Sequence, residues 1–118
     1  MDKIILDTNI LIYAIQNKID LENGIMSITP RMEPLIPACV LAELRGLATT
    51  KWYAKAALKY SERFKNIESH GEGDFCIMVV AKSLNAAVLT NDRRFRKILK
   101  NKGIPCVTMG NQNNLQFY

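Results

Sequence analysis

No apolar run in this chain of 118 residues approaches the ~20 needed to cross a bilayer. The longest are Ile10–Ile15 and Cys76–Ala81. The first residues lack a basic segment followed by an apolar core and a small-residue cleavage site, so no secretory leader is read and the cytoplasm is the expected location. Cysteine is scarce. Cys39, Cys76 and Cys106 are odd in number, no pair has metal-ligand spacing, and each sits in apolar company, which reads as buried free thiols in a reducing compartment. A catalytic cysteine wants a histidine partner, and His70 is the only histidine. No G-x-G-x-x-G fingerprint follows the first apolar run, and no G-x-x-x-x-G-K loop occurs anywhere, which excludes the common dinucleotide and phosphate-loop sites. Repeats and low-complexity segments are also missing.

What remains is a chain with 48% hydrophobic residues, expected to fold as one domain around one core. Residues 1–109 form that domain, and 110–118 read as a short polar tail with an aromatic end. Ile4–Leu6 is a buried strand, with a helix at Asn9–Asn17 behind it. Residues 19–32 hold a short helix at most, broken by Asn23-Gly24 and Thr29-Pro30. A strand near Leu35 and Ile36 leads past Pro37 into a helix, where proline is allowed in the first turn. Thr49 or Thr50 caps a long helix to about Asn66, with Tyr53, Ala56, Ala57, Tyr60 and Phe64 on its apolar face. Asp74 caps a helix at Phe75–Leu84, "AAVLTN" carries a strand, and Asp92 opens a helix that stops at Gly103 before Pro105. Cys106–Met109 is the last strand. Short apolar strands alternating with helices indicate an α/β fold with a parallel sheet. Sites in such folds gather at the carboxyl ends of strands, where strand order reverses.

Asp7, Asp74 and Asp92 all stand at helix starts, where aspartate is a favoured N-cap, so each is explained by capping alone. Glu43 is not. In "ACVLAELRGLA" it borders Val40, Leu44 and Leu47, and the nearest cation, Arg45, is two positions away and points elsewhere. It is therefore expected to be partly buried, and an unpaired buried carboxylate is costly. A divalent cation would resolve that cost, since Mg²⁺ and Mn²⁺ take oxygen ligands. Converging carboxylates hold one or two such ions, which activate a water and stabilise the leaving oxygen of a phosphodiester.

The stretches "ILDTNILIYAI", "PACVLAEL", "GDFCIMVVAKSLNAAVLTND" and "TNDRRFRKILKNKGIPCV" resemble, in order and spacing, the four acidic motifs of PIN-domain ribonucleases. The resemblance spans residues 4–109. It implies a three-layer α/β/α sandwich with a central, mainly parallel sheet. It implies Mg²⁺- or Mn²⁺-dependent endonuclease cleavage of RNA, with metal-activated water as nucleophile and the 3′-hydroxyl side as leaving group. Carried over by position, Asp7, Glu43, Asp74 and Asp92 are the catalytic, metal-binding acids, and Thr8, Asn9, Thr90 and Asn91 support them. The implied role is rRNA processing or the toxin of a toxin–antitoxin pair. The implied partners are RNA, single-stranded or structured, an antitoxin or a ribosome-assembly partner, and a second copy of the chain. One departure is Gly73 before Asp74, where many relatives carry alanine or aspartate; Glu72, two positions before Asp74, reads as a solvated loop residue.

The net charge of +5 fits a polyanion partner. Basic residues crowd into 93–102, and Lys51, Lys55, Lys59 and Arg63 recur every fourth position as a helical stripe. Charge alone does not separate a nucleic-acid footprint from an ordinary solvated surface. Arg93 and Arg94, next to Asp92, and Lys51 and Lys55 are the expected substrate-binding cations. His70 reads as a solvated loop residue, Tyr53 as core and Trp52 as an interface residue in place of base-stacking platforms. A haloacid-dehalogenase-like phosphatase would need aspartate at position 9, where Asn9 stands. The rival outside enzymes is a catalytically silent PIN-like scaffold that binds RNA or protein. All four matched acids are present, which favours catalysis.

Overall fold

In a computed structural model describing residues 2–118, the strand Lys3–Leu6 (β1) forms the middle of a six-stranded sheet. Ile4, Ile5 and Leu6 are fully buried, as a central parallel strand covered on both faces requires. The other strands are Glu33–Pro37 (β2), Lys65–Ile67 (β3), Ala87–Leu89 (β4), Cys106–Met109 (β5) and Leu115–Phe117 (β6). Their order is β3-β2-β1-β4-β5-β6. All neighbours pair in parallel except β5 and β6, which are antiparallel.

Six helices flank the sheet: Thr8–Asn17 (α1), Leu21–Ile28 (α2), Ala38–Ala48 (α3), Trp52–Ser61 (α4), Gly73–Leu84 (α5) and Arg93–Asn101 (α6). α1, α3 and α4 pack on one another, α5 lies against β1 and β4, and α6 lies against β5. The expected α/β/α sandwich is therefore present. Among the described residues no helix is long and apolar enough to cross a membrane.

The chain leaves β1 toward β2 and β3 on one side, then crosses back to β4 and β5 on the other. The strand order thus reverses at β1 and β4, and the crevice beyond their carboxyl ends is where such a fold opens a site.

Four expectations need correction. Asn23-Gly24 does not break the helix of that region, since α2 runs through it from Leu21 to Ile28. The fourth helix does not run to Asn66. It ends at Ser61, and Lys65–Ile67 turns into the edge strand β3, a three-residue piece with no hydrophobic alternation to announce it. Its start is Trp52, after Lys51, without a side-chain cap; Thr49 instead donates its hydroxyl to the Gly46 carbonyl. Cys39 and Cys76 are buried as expected but are joined as a disulfide, which leaves Cys106 as the free thiol. Thirty-seven residues separate the pair, so only the fold, which brings the first turns of α3 and α5 together, reveals it. The argument from free thiols to a reducing compartment falls with it. Residues 110–118, read as a polar tail, hold a 3₁₀ turn at Asn111–Asn113 and then β6, whose Leu115 is buried.

Candidate active site at the strand switch point

Asp7 follows β1 directly, and its backbone N–H donates to the Leu89 carbonyl, tying the end of β1 to the end of β4. Its carboxylate is only 6% exposed. One oxygen accepts from the Thr8 backbone N–H at 2.7 Å, and the other accepts from the Thr90 hydroxyl at 2.7 Å. Burial pushes its pKa from 3.8 up to about 6. The two hydrogen bonds pull it back in part, while the neighbouring carboxylates of Asp74 and Glu43 push it further. Asp7 caps α1, as the simpler reading held, yet a capping carboxylate in solvent would carry no such penalty.

Glu43 departs from expectation. It is exposed, because the stretch of α3 holding Ala42 and Glu43 lines an open cavity of about 440 Å³ instead of meeting another element. The argument from an unpaired buried charge therefore does not apply. What ties Glu43 to the site is the Thr8 hydroxyl, which donates to its carboxylate at 2.9 Å. Glu72 lines the same cavity, so the residue read as a loop acid shares a wall with Glu43.

Asp74 lies in the first turn of α5, and the cap position itself is Glu72, whose side chain makes no capping bond. Partial burial raises the Asp74 pKa, followed by the negative charges of Asp92 and Glu43. Asp92 caps α6, accepting from the N–H groups of Arg94 at 2.9 Å and Phe95 at 3.2 Å. The four acids thus act on one another: Asp74 and Glu43 on Asp7, and Asp92 and Glu43 on Asp74.

Thr90, Asn9 and Asn91 form a brace around Asp7. The Asp92 N–H donates to the Thr90 hydroxyl at 3.2 Å, leaving that hydroxyl's own proton for Asp7. Asn9 Oδ1 accepts from the Asn91 N–H at 3.2 Å. Asn91 Oδ1 in turn accepts from the Met109 N–H at 2.9 Å. All four supporting residues of the sequence reading, Thr8, Asn9, Thr90 and Asn91, take part.

Among the described residues no three His, Cys, Asp or Glu side chains stand ready as a metal-holding group. Mg²⁺ does not require one, since it keeps several waters and binds through one or two carboxylates plus substrate phosphates. The charge fits a cation: desolvation, and then the acidic neighbours, make the buried Asp7 carboxylate costly to ionise, the penalty a divalent ion removes.

The basic stripe is shorter than its spacing implied. Arg63 lies past the end of α4 and donates to Glu22 at 2.6 Å, and Lys59 pairs with Glu62 at 3.2 Å. Lys51, Lys55, Arg93 and Arg94 are exposed and form no ion pair among the described residues. His70 is exposed, on a separate cleft beside Val79. Tyr53 packs against the core as expected but only half-buried, and its other part lines an open cavity of about 520 Å³ with Asn9, Tyr13, Gln16, Asn91 and Asp92. Tyr13 and Gln16 carried a signal in the sequence that was not used. With Asn9 they fall at i, i+4 and i+7, one face of α1.

An α/β/α sandwich that gathers interacting carboxylates at its switch point, without a phosphate loop, defines the PIN type of domain. The model for the PIN-like domain matches residues 4–112, and this chain belongs to that family. It is 32% identical over 106 residues to ribonuclease VapC9 of Archaeoglobus fulgidus, covering 86% of this chain and 78% of that protein. It is 34% identical over 114 residues to the rRNA-processing protein fcf1 of Schizosaccharomyces pombe, spanning 92% of this chain but 59% of that longer protein. The PIN domain endonuclease Utp24 has a similar structure, with a TM-score of 0.83 and 29% identity over 98% of this chain and 90% of that one. VapBC2 from Rickettsia felis, solved with a DNA fragment of its promoter, shares the fold at a TM-score of 0.70 and 22% identity, covering 92% of this chain and 99% of that chain.

Proposed function

We propose that this chain is a divalent-metal-dependent endoribonuclease that hydrolyses phosphodiester bonds at the β1–β4 crevice. The observation that carries this reading is Asp7, a carboxylate buried at the switch point and pushed to about 6 by burial and by the charges of Asp74 and Glu43. A site built only for capping has no use for that cluster. Membership of the PIN-like family and the likeness to a ribonuclease and to an endonuclease support the same chemistry.

Asp7, Glu43, Asp74 and Asp92 would hold Mg²⁺ or Mn²⁺, one ion or two. When bound, such a cation supplies the positive charge that activates water and neutralises a developing phosphorane. The protein's own contribution is placement. Thr90 and the Thr8 N–H fix both oxygens of Asp7, and the Thr8 hydroxyl holds Glu43 toward it. Arg93 and Arg94, beside Asp92, and Lys51 and Lys55, at the cap and in the first turn of α4, offer cations unpaired among the described residues to the phosphates on either side.

The substrate is RNA, as the names of both curated relatives imply. Two roles remain. The match to the rRNA-processing protein fcf1 favours rRNA processing, with a ribosome-assembly partner. The match to VapC9 favours a toxin with an antitoxin partner. Either role is proposed for a homodimer in the cytoplasm.

Cleavage of end-labelled RNA with Mg²⁺ or Mn²⁺, against EDTA, tests the reading. Wild type is expected to cut in the middle of the chain only with metal. Asp7→Asn, Glu43→Gln and Asp92→Asn are each expected to lose activity while keeping the fold. Binding of RNA with no cleavage under any metal would leave the silent scaffold.

A further inference from the structure

Tyr53, Tyr13 and Gln16 line an open cavity together with Asn9, Asn91 and the proposed metal-site acid Asp92. We propose that this cavity is a nucleobase subsite that receives one unpaired base next to the scissile phosphate. The proposal rests on the nuclease reading only for the position of that phosphate.

Three observations carry it. The first is aromatic. At α4, Trp52 meets the Tyr53 ring edge-on, with centroids 5.9 Å apart and planes at 81°, and is itself 71% exposed. Trp52 stands beside the cavity-lining Tyr53 with most of its indole surface open to solvent, and unpaired bases stack on such surface. Lys51 and Lys55 flank that pair on the same helix, where a backbone would run. The second is the fixing of Tyr13, the other ring in the lining. The Tyr13 hydroxyl donates to Asn113 Oδ1 at 2.9 Å, so the segment after β5 reaches back to hold a side chain of α1.

The third is the polar wall. The Oδ1 atoms of Asn9 and Asn91 each accept from a backbone N–H, those of Asn91 and Met109. A backbone N–H can only donate, so both amides are turned with oxygen inward. Their amino groups have no partner among the described residues, and with the exposed Gln16 amide they supply donors to the edge of a base. The volume, about 520 Å³, is within the range of small-molecule sites. A base paired in a duplex keeps its edge and both faces occupied and does not fit this wall.

Trp52 is the sole tryptophan and packs against Tyr53, so its fluorescence reports binding beside that ring without need of turnover. The experiment titrates the full chain in EDTA with a short single-stranded oligoribonucleotide, the same strand in a duplex, and a version made abasic at successive positions. Steady-state cleavage with Mn²⁺ is measured alongside, for wild type, Tyr53→Phe, Tyr53→Leu and Gln16→Ala. The single strand is expected to quench Trp52 saturably in wild type and Tyr53→Phe. Tyr53→Leu is expected to weaken binding roughly 5- to 150-fold, as loss of one base–aromatic stack implies, with the change appearing in KM rather than kcat. Removing the base at one position is expected to weaken wild type and leave Tyr53→Leu no worse. Gln16→Ala, at an exposed position that leaves the fold intact, is expected to weaken binding in the same direction. Wild-type affinity and KM in Tyr53→Leu, or equal affinity in Gln16→Ala, would overturn the subsite, as would a duplex that binds and quenches as well as the single strand. Cleavage that survives such a result leaves the nuclease reading standing. Quenching and base dependence without any cleavage would uphold the subsite and sink the nuclease.

Discussion

The Thr90 hydroxyl donates to Asp7 across 83 residues of sequence at 2.7 Å, joining the strand end that delivers the first acid to the strand end that precedes the last. Through the Asp92 N–H it also touches the opening residue of α6. Thr90→Val keeps the shape and removes that donor. It leaves a buried Asp7 oxygen unpaired, a loss of about 1–3 kcal/mol. The pKa of Asp7 should rise further, and denaturant titrations of the metal-free protein at neutral pH should show the destabilisation. An unchanged midpoint would mean that the bond is not formed.

Asp7 also sets a pH dependence. Its carboxyl titrates near 3.8 when unfolded and at about 6 when folded. Between those values the folded state binds the extra proton, so metal-free stability declines as pH rises through that window. The loss attributable to Asp7 reaches about 3 kcal/mol by neutral pH. In EDTA, Asp7→Asn should flatten the profile and be more stable than wild type near pH 7. Parallel profiles for the two proteins would contradict this.

The Thr8 hydroxyl holds Glu43, an exposed carboxylate with no other hydrogen bond to the protein among the described residues. Thr8→Val should lower cleavage about 10- to 100-fold, the usual effect of removing a support to a metal ligand. Thr8→Ser should retain most activity, because it keeps the hydroxyl. Equal activity in the valine and serine variants would remove Thr8 from the site.

The disulfide between Cys39 and Cys76 joins the helices that carry Glu43 and Asp74. Closing a 37-residue separation should stabilise by about 2–4 kcal/mol. Dithiothreitol should therefore lower the denaturation midpoint of wild type and leave Cys39→Ser unaffected. Cys106, whose thiol burial pushes up to about 11, should stay unreactive to thiol reagents in the folded protein.

Those residues also mark where sequence reading succeeded. β1 and β4 were legible because buried parallel strands are unbroken apolar runs, and each run ends close to an aspartate that opens a helix. The placement of Asp7 and Asp92 as helix caps at those strand ends followed from that. Glu43 was singled out on a wrong premise: spacing from Val40 and Leu44 puts it beside the apolar stripe, but only the fold decides whether a neighbouring element covers that edge, and here an open cavity leaves it exposed. β3 carries no pattern in three residues. The disulfide and the placement of Tyr53 depend on which helices meet, which spacing within one helix does not encode.

The central claim is that carboxylates from four separate segments bind one metal site. Mn²⁺ titration of the full chain followed by electron paramagnetic resonance tests it most directly, with Asp7→Asn and Asp92→Asn beside wild type. Wild type is expected to take up Mn²⁺, and each variant to bind it more weakly by at least tenfold while remaining folded. Equal Mn²⁺ affinity in wild type and Asp92→Asn would contradict the site.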